Sequence, residues 1–553
     1  MAFGTSVGVP HHKPRTDALA ATIAANALAD ASALADLTAR LDAEGVVNLK
    51  WAGAAADGVT DDTAVLIDAL ATGKRVYAPA GTYRLTAGIS LPDGAVIEGD
   101  GPRRTLFDFG DAPASSYFVA TGASVLAPLR GLRLADFGTV QGTRTGVGVM
   151  AAVEFRFVAA SAVERLHIDG AEDIGLWWID CDGCVARDVL AENVAYVVNW
   201  DGCSACYGER LRGLDISLHA FAILADDGLA PAPSNESSSV RAREDAGGNV
   251  LMACSVDRFE GHAVTLNACD GNAVIGMQAR HYVGAEADRP AFQNKHTTND
   301  ESRRNKFIGC DGYDLGGGFY SQDGAGMIVV GGTLDTVSGN GCWANSAPGT
   351  VFSDVTMRGI GGDVLRLEAS PYSRARGIAS AAPGAAARGL ILINSSYCRV
   401  DDFELTDLHA TGASIDSLSG STTLGGGVRL GSSPLADAST TTKYPLVYQA
   451  VVDTGAIGQT VLGVPPRGMW VGRARAMVAE APTSGDPAIR VGSVLSTGMI
   501  AAQQTLGSLA LGAVNLLTLA AADAGTAPVL SCNVGVAATG GKLVVSVEGL
   551  HRI

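Results

Sequence analysis

Charge is scarce in this chain, and unbalanced where it occurs. Charged residues fill 18% of 553 positions, and 57 acidic against 40 basic residues leave a formal charge of −17. A surface so short of Lys and Arg is poorly suited to wrapping a polyanion, which argues against nucleic acid as the main partner. Aromatic residues are also few, at 6%. No run of about 18 apolar residues occurs, so no membrane insertion is expected. Met1 to Lys13 lacks the basic-then-apolar pattern of a secretory signal, so a soluble protein is expected; work outside a cell would need another route of delivery. The ten cysteines form no paired framework of a small secreted domain.

What is abundant is glycine, 70 residues, which with so little charge suits tightly turned strands rather than helices. The chain is too long for one ordinary core, but a solenoid lengthens without thickening. Ile174 to Gly213 carries the mark of one. Shifted by 22 residues it falls on itself: Trp178 lands on Trp200, Cys181 on Cys203, Cys184 on Cys206 and Arg187 on Glu209. One step earlier the same shift meets Ala159 and Ala162. Units of this length bury their apolar faces only against neighbours. Short runs of Val, Ile, Leu and Trp broken by Asp-Gly read as strands and turns. Cys-Asp-Gly recurs at Cys181, Cys269 and Cys310, each time after a strand-like run. A strand ending at the same turn in coil after coil describes a parallel β-helix.

In chain order, residues 1–15 read as an extended anchor. Residues from about Thr16 to Glu44 form an Ala-rich helix, with Leu34, Leu37 and Leu41 at helical spacing. So narrow a seam suits either a short oligomeric coiled coil or an amphipathic helix on the next domain. Then comes Ala56-Asp57-Gly58-Val59-Thr60-Asp61-Asp62-Thr63-Ala64, followed by Leu66 to Leu70 and by Arg75-Val76-Tyr77-Ala78-Pro79-Ala80-Gly81-Thr82-Tyr83. Asp61 or Asp62 is placed to cap a helix over Thr63–Leu70, and that helix to plug the open end of the solenoid against edge pairing. Val76-Tyr77 would start the first coil. Capping and turning account for all three acids, Asp57, Asp61 and Asp62, better than a calcium site does.

This stretch resembles the opening of the pectate-lyase-like β-helix superfamily, in the branch shared by bacteriophage tailspikes and polysaccharide depolymerases. The resemblance is specific over Asp57–Tyr83 and architectural beyond it. It implies a homotrimer of right-handed β-helices at a phage tail, binding and often cleaving a bacterial surface polysaccharide and joined to tail or baseplate proteins through the N-terminus. A virion location follows, with an extracellular one as the alternative.

The expected fold is all-β. It has a short N-terminal helical anchor (residues 1–46), a right-handed parallel β-helix (47–424), a Gly/Ser/Thr linker (425–442) and a C-terminal antiparallel β-sandwich (443–553). The sandwich, which serves trimer closure or sugar binding, rests on alternating runs such as Leu446–Val452 and Lys542–Val547. Polar stretches interrupt the coils at Ala225–Gly248 and Gly284–Asn305, and an irregular one at Ser370–Arg388.

Cys181-x2-Cys184 and Cys203-x2-Cys206 match a zinc-ribbon spacing, yet their offset is the coil period. Stacked buried thiols are expected, with zinc or a disulfide as alternatives; no metal or cofactor is expected overall. Trp177 and Trp178 point to opposite faces of a strand. Either an outward Trp177 or Trp200 offers a platform for sugar, or Trp178 and Trp200 fill the core and Trp177 is covered. Arg187 and Glu209 read as a surface ion pair.

Function concentrates where a period is interrupted. The candidate acid/base residues are therefore Asp226, Asp227, Glu286, Asp288, Asp300 and Glu301. Trp177, Trp200, His296 and Arg303 are the candidate substrate contacts. The expected activity is binding, with cleavage by a hydrolase or lyase. The alternatives are an exported bacterial polysaccharide lyase or hydrolase and a non-catalytic, receptor-binding tail fibre.

Overall fold

The computed structural model describes residues 45–551, apart from 111–115, 142–150, 171–173, 225–246, 296–303, 324–325, 382–387, 406–410 and several short segments after 425. From residue 431 on it is described by backbone strands only. The expected helix at Thr16–Glu44 therefore lies outside the described residues.

Each coil contributes up to three short strands, as in Val185–Arg187, Leu190–Val194 and Tyr196–Asp201. Every strand pairs in parallel with its counterpart one coil away: Trp178 with Trp200, Val185 with Tyr207, Leu190 with Arg212. The result is a parallel β-helix. One side is a 14-stranded parallel sheet from Ile89–Ser90 to Leu435–Asp437. The other two sides merge into one 25-stranded sheet, because strands such as Arg133–Gln141 and Ala162–Asp169 run through the corner between them.

The corner itself needs left-handed backbone. Asp136, Arg165, Asp188 and Arg210 take it on successive coils, with φ of 61°, 53°, 53° and 53°. Arg165 and Arg210 each reach back to the acid one coil earlier, Asp136 and Asp188, at 2.8 and 2.6 Å. The Arg187–Glu209 pair forms as expected, at 3.3 Å. Exposed pairs of this kind contribute at most about 1 kcal/mol each.

The coils begin earlier than Val76. Val46–Asn48 and Asp57–Asp61 already pair with Arg75–Ala78 and Gly81–Arg84, and the cap helix Thr63–Ala71 interrupts the first coil. Its Leu66, Ala69 and Leu70 join the core and close the end of the solenoid. Asp61 accepts from the Thr63 N–H at 3.0 Å, while Asp62 holds the approaching chain through the N–H groups of Ala55 and Ala56, at 2.7 and 3.0 Å. Asp57 accepts from the N–H groups of Val59 and Thr60, at 2.9 and 2.8 Å. These bonds hold the carboxyls of Asp57 and Asp61 below their ordinary range. Gly81 has no alternative: a Cβ there would lie 2.8 Å from that of Ala56.

Inside, rings stack along the axis, Phe155 on Trp178 at 5.9 Å and Trp178 on Trp200 at 5.2 Å. Cys181, Cys184, Cys203 and Cys206 are buried, free thiols at stacked corners, as expected from the period. Burial without a cation pushes the thiols of Cys181 and Cys203 well up. Polar side chains also stack. Asn249 donates its N–H to Asn272 Oδ1 at 3.0 Å, and Asn272 donates to Asn305 Oδ1 at 2.9 Å, all three fully buried.

Several expected boundaries change. Gly284–Asn305 is not one insertion, since Pro290–Lys295 is a strand of the 14-stranded sheet. Ser370–Arg388 likewise contains the paired strand Arg374–Ala381. Leu435–Asp437 carries the ladder into the stretch read as a linker. Cys310 follows a strand of the 25-stranded sheet, so it sits at a different corner from Cys181 and Cys269. Beyond residue 444 the backbone forms two four-stranded antiparallel sheets.

Candidate functional site

Alternation along the strands of the 14-stranded sheet sends every second side chain outward. Register then lines these residues up across coils: Glu154, Trp177, Asn199, Ala222, Thr265, Gln293, Tyr320, Trp343, Arg366. Two positions further on, Asn345 stands beside Glu368.

The outward face has two parts of different character. Around Glu154 it is covered: Trp177, Asn199 and Asp201 are 5–6% exposed. Glu154 accepts from Ser116 Oγ at 2.5 Å and pairs with Arg156 at 3.5 Å. The indole N–H of Trp177 and Oδ1 of Asn199 have no hydrogen-bond partner among the described residues.

The part from Trp343 to Glu368 is half-open, while Tyr320 beside it is 8% exposed. Trp343 is half-buried, 4.5 Å from the Tyr320 ring, and the Arg366 guanidinium lies 5.2 Å from its centroid. A cation over an indole is worth about 0.5–1 kcal/mol, more when water is excluded. Arg366 also donates to Glu368 at 2.7 Å and to Asp363 at 3.3 Å, and Asp363 accepts two hydrogen bonds from Arg388, at 2.5 and 2.9 Å. Asn345 donates to the Tyr320 hydroxyl at 3.4 Å. This patch therefore holds Trp343 and Arg366 in fixed orientations. A planar aromatic surface beside amide, guanidinium and carboxylate groups can stack on the C–H face of a sugar and bond its hydroxyls.

None of Tyr320, Trp343, Arg366 or Glu368 was expected from sequence. The signal is a step of 23 residues, from Phe319 to Cys342 and from Cys342 to Leu365, hidden by the longer steps before it.

Of the expected residues, Trp200 is corrected. It is fully buried between coils, so no face of its ring is left for a sugar. Trp177 does point outward but is covered. Glu286 and Asp288 are exposed, on the turn 283–289 that enters the sheet at Pro290, with Glu286 held by Arg289 at 2.8 Å. Asp226, Asp227, His296, Asp300, Glu301 and Arg303 lie outside the described residues. Their segments, 225–246 and 296–303, follow Phe221–Leu224 and Pro290–Lys295 in sequence.

Beside the 283–289 turn, two imidazoles stack at 4.7 Å. His262 donates its backbone N–H to His219 Nδ1 at 3.1 Å, and its Nδ1–H to the Pro290 carbonyl at 2.6 Å. Burial pushes their pKa values down, to about 3 for His219 and about 4 for His262.

Residues 46–121 match the family model described as rhamnogalacturonase A/epimerase, pectate lyase-like. The pre-neck appendage proteins of Bacillus phages phi29 and PZA are 28% identical over 163 residues, 29% of this chain and 18% of each relative. The chain thus spans under a fifth of the length of the curated relatives it matches. Among solved structures, the Pseudomonas phage phi297 tailspike is 15% identical, covering 92% of this chain and 99% of that one at a TM-score of 0.44. The phi29 gene product 12 is 16% identical, covering 73% and 57% at 0.44. The Azotobacter vinelandii mannuronan C-5 epimerase A-module is 14% identical, covering 71% and 98% at 0.39. Plugged by its cap helix and coiled in parallel from Val46 onward, the chain is a parallel β-helix whose opening residues, 46–121, are similar to the pectate lyase-like family.

Proposed function

We propose that the protein is a phage tail appendage of the tailspike type, which binds a bacterial surface polysaccharide along the open face of the 14-stranded sheet and cleaves it there. The observation that carries this reading is the Trp343–Arg366 pair, a half-open aromatic and cationic strip backed by the buried Tyr320 ring and oriented by buried and half-buried carboxylates. The similarity to phage appendage proteins supports the setting. In this reading residues 1–46 attach the chain to the tail, three chains assemble, and the two C-terminal sheets pack as a sandwich that closes the trimer or adds sugar contacts.

Cleavage falls to carboxylates in the segments that border the sheet in sequence. Glu286 and Asp288 stand on the turn that enters it at Pro290; Asp226, Asp227, Asp300 and Glu301, with His296 and Arg303 as substrate contacts, belong to the segments that follow Phe221–Leu224 and Pro290–Lys295. Hydrolysis needs two carboxyl groups across the bond, about 5–5.5 Å apart when configuration is retained and about 6.5–9.5 Å when it is inverted.

The test is electrophoresis of host surface polysaccharide before and after incubation with the full chain. Shortened chains are expected, and the product mass separates hydrolysis, which adds water, from elimination, which leaves an unsaturated sugar. Trp343→Ala is expected to weaken glycan binding about tenfold, roughly 1.4 kcal/mol. If alanine at each of the six carboxylates leaves turnover intact, these segments are not the site. A wild-type chain that retains no host polysaccharide ends the reading.

A further inference from the structure

A second patch stands away from the ladder, at the corner where the chain leaves the 14-stranded sheet. There a column of left-handed positions runs across coils: Gly326 (φ 77°), Gly349 (73°), Tyr372 (61°), Tyr397 (58°) and Ser421 (56°). Backbone bonds fix the column, from Gly349 N–H to the Pro371 carbonyl, from Tyr372 to Ser396 and from Tyr397 to Gly420. Glycine is the natural occupant of such backbone, and a bulky side chain costs about 1–2 kcal/mol. Yet two successive coils carry tyrosine, and neither ring is repaid by burial, since Tyr372 and Tyr397 are 62% and 58% exposed. The rings stack at 5.2 Å and 6°. Above Tyr372, the space where Gly349 would carry a Cβ is empty.

A second unfavourable placement adjoins the first. Two residues after each tyrosine comes an arginine, and Arg374 pairs in direct register with Arg399. Like charges opposite one another on neighbouring strands destabilise a sheet. Arg399 has a partial answer in Asp401 at 2.5 Å, but Arg374 is exposed and has no acidic partner among the described residues. Arg376, on the same strand, reaches only Asp402, at 3.6 Å.

An anion with a flat apolar face would answer both costs. We propose that Tyr372, Tyr397, Arg374 and Arg399 form a second glycan-contacting site, whose ligand is a carboxylated sugar of an acidic polysaccharide. The pyranose stacks on the open face of Tyr372 over Gly349, and its carboxylate lies between the two guanidinium groups. The inference rests on the polysaccharide-binding reading above and adds to it the charge class of the sugar.

The test uses the full chain and three carboxylated probes, oligogalacturonate, hyaluronate and polysialic acid, with dextran as the neutral control. At least one acidic probe is expected to bind, more weakly as salt rises. Affinity for it is expected to fall about tenfold in Tyr372→Asn/Tyr397→Asn and in Arg374→Gln/Arg399→Gln. Because asparagine tolerates left-handed backbone, the first variant is expected to melt no lower than wild type. Binding of dextran alone, or acidic binding unchanged in both variants, overturns the site. So does a changed oligomeric mass in the tyrosine variant, which would make this corner a subunit contact. Trp343→Ala separates the two ideas: if it loses binding while the corner variants keep it, only this inference fails. If wild type binds neither acidic nor neutral glycan, the polysaccharide reading fails with it.

Discussion

His219 and His262 are neutral in the folded chain, and their cost appears only when the medium turns acid. Both lie in desolvated positions, His219 facing His262 and Arg289, and His262 facing Arg289 and Lys295 with Glu286 the nearby acid, so each takes a proton only near its lowered value of about 3 or about 4. In the unfolded chain each would take one near the ordinary value of about 6.5. Between about pH 6.5 and about pH 4 the unfolded state binds more protons, and stability falls as pH falls. The slope is at most about 1.4 kcal/mol per pH unit for each imidazole. Thermal melts at pH 7 and pH 5 check this. His219→Phe/His262→Phe is expected to lose less Tm over that interval than wild type, whatever its Tm at pH 7. An equal loss in both would place the acid sensitivity elsewhere. The tryptophans show how far single residues were legible. Trp177 and Trp178 were rightly read as pointing to opposite faces, because alternation is a property of the strand alone. Which ring is covered depends on neighbouring coils, and of the two readings the one with Trp178 and Trp200 in the core and Trp177 covered is the one found.

At the scale of elements, buried polar ladders hold the coils in register. Asn272 serves two neighbours at once, accepting the N–H of Asn249 at 3.0 Å and donating its own to Asn305 at 2.9 Å. Asn272→Ala keeps the backbone bond to Asn305 but removes the Oδ1 that accepts from the buried backbone N–H and Nδ2–H of Asn249, both at 3.0 Å, and is expected to cost about 2–6 kcal/mol, about 1–3 for each group left unpaired. Denaturant midpoints measure it; a loss under about 0.5 kcal/mol would mean water takes over both bonds. The cap helix offers a companion case. Leu66→Ala is expected to cost about 2–5 kcal/mol, because Leu66 is 1% exposed at the plugged end of the core. That helix was legible because its start signals are local. The strand Pro290–Lys295 was not, because it reads as polar: Gln293 faces outward, and Asn294 turns inward to accept from Asn305 at 2.9 Å. Arg374–Ala381 was hidden for the opposite reason, its inward residues being mostly small ones that carry no hydrophobic signal.

The whole molecule is expected to be a homotrimer, as the tailspike reading requires. Light scattering of the full chain should give three times the chain mass, and a monomer at micromolar concentration would remove the trimer from that reading. The solenoid itself was legible because its period repeats cleanly between Trp178 and Trp200. The register of its later coils was not, because the step between partners lengthens from 22 residues, Trp178 to Trp200, to 43, Ile223 to Leu266, and 28, Leu266 to Asn294.

Those lengthened steps leave the ladder untouched. Asp201, Leu224, Asn267, Lys295, Gln322, Asn345 and Glu368 remain partners in sequence across the sheet, although residues 225–246 and 296–303 come between some of them. Doubling the length of a closed loop costs only about 0.6 kcal/mol. Segments at the edge of this sheet can therefore be lost, lengthened or traded between lineages while the coils beneath keep their alignment. A scaffold built this way separates a rigid spine from borders whose length can vary without disturbing it.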